Sequence, residues 1–207
     1  MHLDNRGLPL STASAKAAAA FDHLITGYLT QRADTPARLA VLLEADPDFA
    51  LAHCMKGYFA MLGFKQATIP AAVQLARTAQ SLAADATPRE RSHIAALTAW
   101  SEGELDRAIA LWESILRTHP HDVVAFRLAH FVNFWLGRPQ DMVASVERVI
   151  PAWSEDVPGY ASMLSAALDD GADRHRPHRR CGAYDRRAAC SALLDYRRKL
   201  EWQRCGF

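Results

Sequence analysis

Gly103 and Gly137 stand 34 residues apart, and the pattern around the first returns in weakened form around the second. Ala96 lies seven residues before Gly103, while Ala108, Trp112, Ile115 and Pro120 lie five, nine, twelve and seventeen after it. Small residues at such places let two helices approach closely, an indole fills the space between them, and a proline ends the second helix. The glycine supplies the turn. Around Gly137 the equivalent places hold His130, Met142, Val146 and Ser154, so the period is kept while its chemistry drifts. A chain punctuated in this way folds as a row of helical hairpins, each burying its apolar face on the next. The stretch from Arg89 to Pro151 reads as one and a half turns of a helical solenoid.

The small, large, small, proline punctuation is that of a tetratricopeptide repeat, and the rest of the chain fits helices of the same size. Residues 7 to 13 make a short extended lead, and Ser14 is placed to cap a helix with Phe21, Leu24, Ile25, Tyr28 and Leu29 on one face. Thr35-Pro36 opens a second helix, with Leu39, Leu42 and Leu43 inward, which Asp46-Pro47-Asp48 stops. Phe49 to Leu62 is a third helix ended by Gly63, and Ile69-Pro70 and Pro88 open a fourth and a fifth. Leu105 to Thr118, Asp122 to Leu136 and Pro139 to Ile150 supply three more. No segment alternates with the period of a half-buried strand. The expected fold is therefore all-α, an α-solenoid of tetratricopeptide-like helical hairpins.

Half of the 207 residues are hydrophobic, which suits one domain with a substantial core. The net charge of +1 gives no general attraction for nucleic acid, and none is expected as a partner. That average conceals a break, because residues 1–169 hold 14 Lys or Arg against 18 Asp or Glu, whereas residues 170–207 hold 10 against 5. Two parts follow: a helical repeat domain over 7–169 and a basic, Arg-rich tail over 170–207, irregular or disordered and outside the repeat fold. No run approaches the ~18 apolar residues of a membrane span, and MHLDNRGLPLS lacks a basic region followed by an apolar one. No membrane partner and a cytoplasmic location are the expectation. Cys54 stands alone in the first part and Cys181, Cys190 and Cys205 fall in the tail, which is no disulfide framework.

Several separated blocks carry a resemblance: GLPLSTASAKAAAAFD, EADPDFALAHCMKGY, TPRERSHIAAL, GELDRAIALWESILRTHPHDVVAFRLAHFVNFWLG and VERVIPAWSEDVPGYASML. Over residues 7–169 the chain resembles the tetratricopeptide repeat protein 38 family. The resemblance implies an α-solenoid and brings with it no enzymatic activity and no cofactor. It also implies further helical repeats beyond Gly171, where this sequence turns instead to ADRHRPHRRCGAYDRR. A reading-frame shift near codon 171 is the expectation, since out-of-frame reading of a GC-rich gene yields Arg, Ala, Gly, Pro and Cys in this manner; a genuine basic tail is the alternative. A shift would leave the solenoid uncapped and prone to aggregate.

Candidate site residues come from the first helices of the repeat units. His53, His93 and His130 sit on three such helices, but their registers differ and no pair has an i, i+4 spacing, so no metal site is expected. His93 alone falls where a side chain faces the groove. His119 and His121 flank Pro120 at a helix junction, facing water or capping a helix end. Trp100, Phe131, Phe134, Trp135 and Arg127 fall at groove positions within a dense aromatic set whose other reading is helix-packing core. In the tail, His175, His178 and Cys181 lack a paired-Cys knuckle with Cys190 or Cys205. No nucleophile elbow, phosphate-cradling glycine loop, dinucleotide fingerprint or paired metal-binding histidines occur.

Two functions follow. The first is a scaffold, without catalysis or cofactor, that holds a protein or peptide partner through His93, Trp100, Arg127, Phe131 and Trp135. The second is a small-molecule-binding or enzymatic solenoid that uses groove histidines, chiefly His93. A truncated chain with no function of its own is the third reading.

Overall fold

The structure, a computed structural model, describes residues 1–163. The basic tail expected from residue 170, with its histidines and cysteines, lies outside the described residues, as does the break near Gly171. Eight α-helices lie wholly among the described residues and run in order: α1 (Ala15–Leu29), α2 (Thr35–Ala45), α3 (Ala50–Leu62), α4 (Ile69–Ser81), α5 (Pro88–Ser101), α6 (Leu105–Thr118), α7 (Val123–Trp135) and α8 (Pro139–Val149). The described part is all-α, and its helix ends fall within a residue or two of the capping and proline signals. Ser14 caps α1 by accepting a hydrogen bond from the Ala17 N–H, and prolines occupy the first turns of α2, α4, α5 and α8.

One local feature differs from the sequence expectation. The start of the lead pairs with the residues before it in a small hairpin, with β1 (His2–Leu3) antiparallel to β2 (Pro9–Leu10) and His2 opposite Leu10. Strands of two residues are too short to show alternation in sequence. Buried Asp4 closes the turn by accepting from the backbone N–H groups of Arg6 and Leu8 and from the Arg6 guanidinium.

Helices pack in chain order as α1 on α2, α3 on α4, α5 on α6 and α7 on α8, with α3 also against α5 and α6 against both α7 and α8. The 34-residue period is present in the backbone. Gly103 at φ +85° and Gly137 at φ +68° take the left-handed conformation that favours glycine. Gly103 N–H donates to Trp100 C=O at 3.1 Å and Glu104 N–H to Ala99 C=O at 2.8 Å. Gly137 N–H donates to Phe134 C=O at 3.1 Å and Arg138 N–H to Asn133 C=O at 3.0 Å. The two turns are thus one cap used twice. Burial follows the same period: Ala96, Ala108 and Trp112 are buried, and so are their counterparts His130, Met142 and Val146. A fully buried large apolar side chain such as Trp112 stabilises by roughly 1.5–3 kcal/mol.

Leu97 of α5 sits tightly against α3 at Gly57, where an added Cβ would lie 2.4 Å from Leu97 Cδ2. Leu97 is fully buried and cannot withdraw into solvent. Gly57→Ala is therefore expected to lose about 1–3 kcal/mol by overpacking, read as a lower urea midpoint with unchanged slope.

Candidate functional site

The inner face of α5 is built around one carboxylate. Asp122 precedes α7 and caps it, its Oδ1 accepting from the Ala125 N–H at 2.9 Å. Its Oδ2 accepts from Arg89 Nη1 at 2.7 Å and lies 3.0 Å from His93 Nε2, which donates to it. Arg89 and His93 are one turn apart on α5, so both reach the same oxygen. Arg89 Nη2 also donates to Pro9 C=O, tying the N-terminal hairpin to α5. On the other edge of the imidazole, Tyr58 from α3 donates to the His93 C=O at 2.7 Å and accepts from Trp112 Nε1 at 3.0 Å. His93 Nδ1 lies 3.2 Å from the same hydroxyl.

A second buried acid extends the network. Thr87 and Glu90 form a reciprocal capping box at the start of α5, and Glu90 Oε1 also accepts from the Ser11 N–H at 3.0 Å. Arg89, Glu90, His93 and Asp122 are all 4% exposed or less. Burial alone would raise the Asp122 carboxyl, but the charges of His93 and Arg89 and the hydrogen bonds from His93 and Ala125 outweigh it. The group is held well below the ordinary carboxylate range. Burial raises the Tyr58 phenol and the Cys54 thiol, leaving both neutral.

A Tyr-His-Asp chain in contact with solvent could move protons, but this one touches none. Two surface hollows of about 420 and 410 Å³ lie beside Arg138 and beside Asp46, and neither is lined by Tyr58, His93 or Asp122. His93 is corrected from a groove contact to a core residue, because Tyr58 and Asp122 close both edges of its ring. Trp100 is corrected in the same way: it is 3% exposed, and its ring packs against Tyr58 and edge-on to Trp112. The three histidines form no row. His53 bonds to the Pro47 C=O and His130 is buried beside the Phe126 ring. His119 caps α6 through its N–H, and His121 joins the Ala152 C=O and the edge of Trp153. Among the described residues no group of three or more His, Cys, Asp or Glu is arranged to hold a metal.

The remaining candidates come together on α7. Arg127, Phe131, Phe134 and Trp135 share one helix face by their spacing. Shifted back by 34 residues they correspond to His93, Leu97, Trp100 and Ser101, all buried in α5. On α7 the same face is open: Phe134 is 47% and Trp135 54% exposed, with Arg127 and Phe131 half-buried. Phe64, which the sequence pattern does not mark, completes the cluster at 53% exposed. Its ring centre lies 5.3 Å from both Phe131 and Trp135. Phe64 follows the expected stop at Gly63, yet Gly63 is right-handed at φ −74° and Phe64 takes the left-handed conformation at φ +46°. An aromatic residue directly after a helix-ending glycine was the available signal.

No protein-family model matches the chain. No solved structure matches it either. Among the described residues no helix is long and apolar enough to cross a membrane.

Two stability effects follow from these surroundings. Asp122→Asn would turn an amide toward Arg89 and His93 and is expected to cost about 3 kcal/mol or more, measured by urea unfolding at neutral pH. Burial, and next the charge of Arg127, pushes His130 down to about 4. The unfolded chain then binds a proton at His130 that the folded chain refuses. Stability is expected to fall by up to about 3 kcal/mol as pH drops from 6.5 toward 4. A His130→Leu variant should flatten that part of the pH profile. The Asp122 contribution is lost only below about pH 4, where the unfolded carboxylate protonates and the folded one resists.

Proposed function

We propose that this chain is a tetratricopeptide-like helical-repeat scaffold that holds a protein or peptide partner on the aromatic face of α7, with Arg127, Phe131, Phe134, Trp135 and Phe64 as contacts. The observation that carries the reading is the exposed ring cluster itself. Four aromatic side chains, each with its ring centre within 5.8 Å of at least one of the others and three of them near half exposed, form an apolar patch of the kind that marks an interaction surface. Trp, Phe and Arg are the residue types enriched at the energetic centres of interfaces.

The backbone adds to this. A left-handed Phe64 costs roughly 1–2 kcal/mol, and an aromatic ring left half exposed recovers little of that by burial. Strain kept beside an exposed cluster is better accounted for by what the ring presents than by what it packs. The repeated glycine cap and the small, large, small pattern favour a solenoid in which successive first helices offer equivalent faces. The resemblance to the tetratricopeptide repeat protein 38 family agrees with that arrangement. With His93 enclosed, the small-molecule or enzymatic alternative lacks the residue on which it rested.

Site-specific photocrosslinking tests the reading. A photoreactive residue at position 134 is expected to give a discrete adduct with a partner in cells. One at Val41, equally exposed on α2 but isolated from the cluster, should give none. Adducts at neither position, or the same adducts at both, would contradict it.

A further inference from the structure

The two stretches of chain that carry the aromatic patch hold no acid. Between Asp48 and Asp85, a stretch that holds α3, the Phe64 loop and α4, there is no Asp or Glu, and there is none between Asp122 and Asp141, which holds α7. The same stretches carry Lys56, Lys65, Arg77, Arg127 and Arg138. Of these, Arg138 is already committed to Asp106. Arg127 is different: it lies one turn before Phe131 on the patch face, is half-buried, and meets no carboxylate among the described residues. On the next helix Arg148, more exposed than Arg127, has found Glu113. Among the described residues, the half-buried Arg127 guanidinium beside the aromatic rings and the Lys65 ammonium next to Phe64 meet no carboxylate, so the site suits a negative charge.

We infer that the partner of this face is an acidic amphipathic peptide, with an apolar anchor seated among Phe64, Phe131 and Trp135 and a neighbouring carboxylate received by Arg127. The inference rests on the proposed reading of the patch as a binding face and adds the chemistry of what binds. The rings supply area and Arg127 supplies direction, since a guanidinium accepts no proton donor and repels a basic sequence. A carboxylate placed there gains more than it would at an open surface, because both groups are partly removed from water.

The test uses the full 207-residue chain and immobilised synthetic peptides in matched sets, in which an aromatic or leucine anchor is flanked by Glu, by Gln or by Lys. The Glu set is expected to bind about tenfold more tightly than the Lys set, and the difference should shrink as salt is raised. Trp135→Ala should remove binding of all sets, whereas Arg127→Gln should remove only the preference for Glu. Circular dichroism of both variants checks that the helices are intact. Trp135-dependent binding without a preference for Glu overturns the inference and leaves the binding face standing. No Trp135-dependent binding of any peptide overturns both. Trp135-dependent self-association in sedimentation, or retention on anionic phospholipid vesicles without peptide preference, assigns the face to a second copy or to a lipid surface and also overturns it.

Discussion

One carboxylate oxygen, Oδ2 of Asp122, holds together parts of the chain that no apolar contact alone would align. It receives Arg89 and His93 from α5 while Oδ1 of the same group starts α7. Through Arg89 the N-terminal hairpin is attached, and through His93 the Tyr58 and Trp112 side chains of α3 and α6. Desolvating a carboxylate and a guanidinium costs several kcal/mol per ion, so such a group persists in a core only when its donors are complete. Its value is positional. Apolar side chains fix how deeply two helices interpenetrate, whereas a shared charged oxygen fixes where along their lengths they meet.

That closure explains why one face of the repeat is buried on α5 and open on α7. On α5 the inward residues are consumed by the network: His93 by Asp122 and Tyr58, Trp100 by Tyr58 and Trp112. On α7, at the same repeat positions, Arg127 meets no acid among the described residues, and Phe134 and Trp135 are exposed and packed edge-on to each other. The repeat therefore keeps its buried packing positions and its glycine cap, though not the small residues of the first copy, while its variable face is core in one copy and surface in the next. Helix pairs that stack on their neighbours through such buried positions can vary one face without losing that packing.

Much of the scaffold is legible in the sequence because each mark has a local cause. Gly103 and Gly137 are left-handed for want of a Cβ, Ser14 and the prolines set helix starts, and the capping box of Thr87 and Glu90 is spelled out three residues apart. The site is less legible, because burial is a property of what arrives from elsewhere in the chain. Nothing on α5 announces that Tyr58 comes from 35 residues earlier and Asp122 from 29 later to enclose His93. Spacing groups Arg127, Phe131 and Trp135 on one face of α7, where the Phe131 and Trp135 rings do meet, and it places His93 and Trp100 on the equivalent face of α5. It could not say which of the two faces stays open. Phe64 escaped for a related reason, since it lies on a loop and belongs to the patch only through its contacts with α7.

The central claim is that the α7 face is open where the α5 face is closed, and side-chain footprinting of the full chain by hydroxyl radicals tests it most directly. The account requires Phe64, Phe134 and Trp135 to be oxidised rapidly, with Trp100 and Trp112 protected until the protein unfolds. Protection of Trp135 and Phe134 equal to that of Trp112 would mean that the aromatic face is core in the folded chain. The binding surface argued for α7 would then not exist.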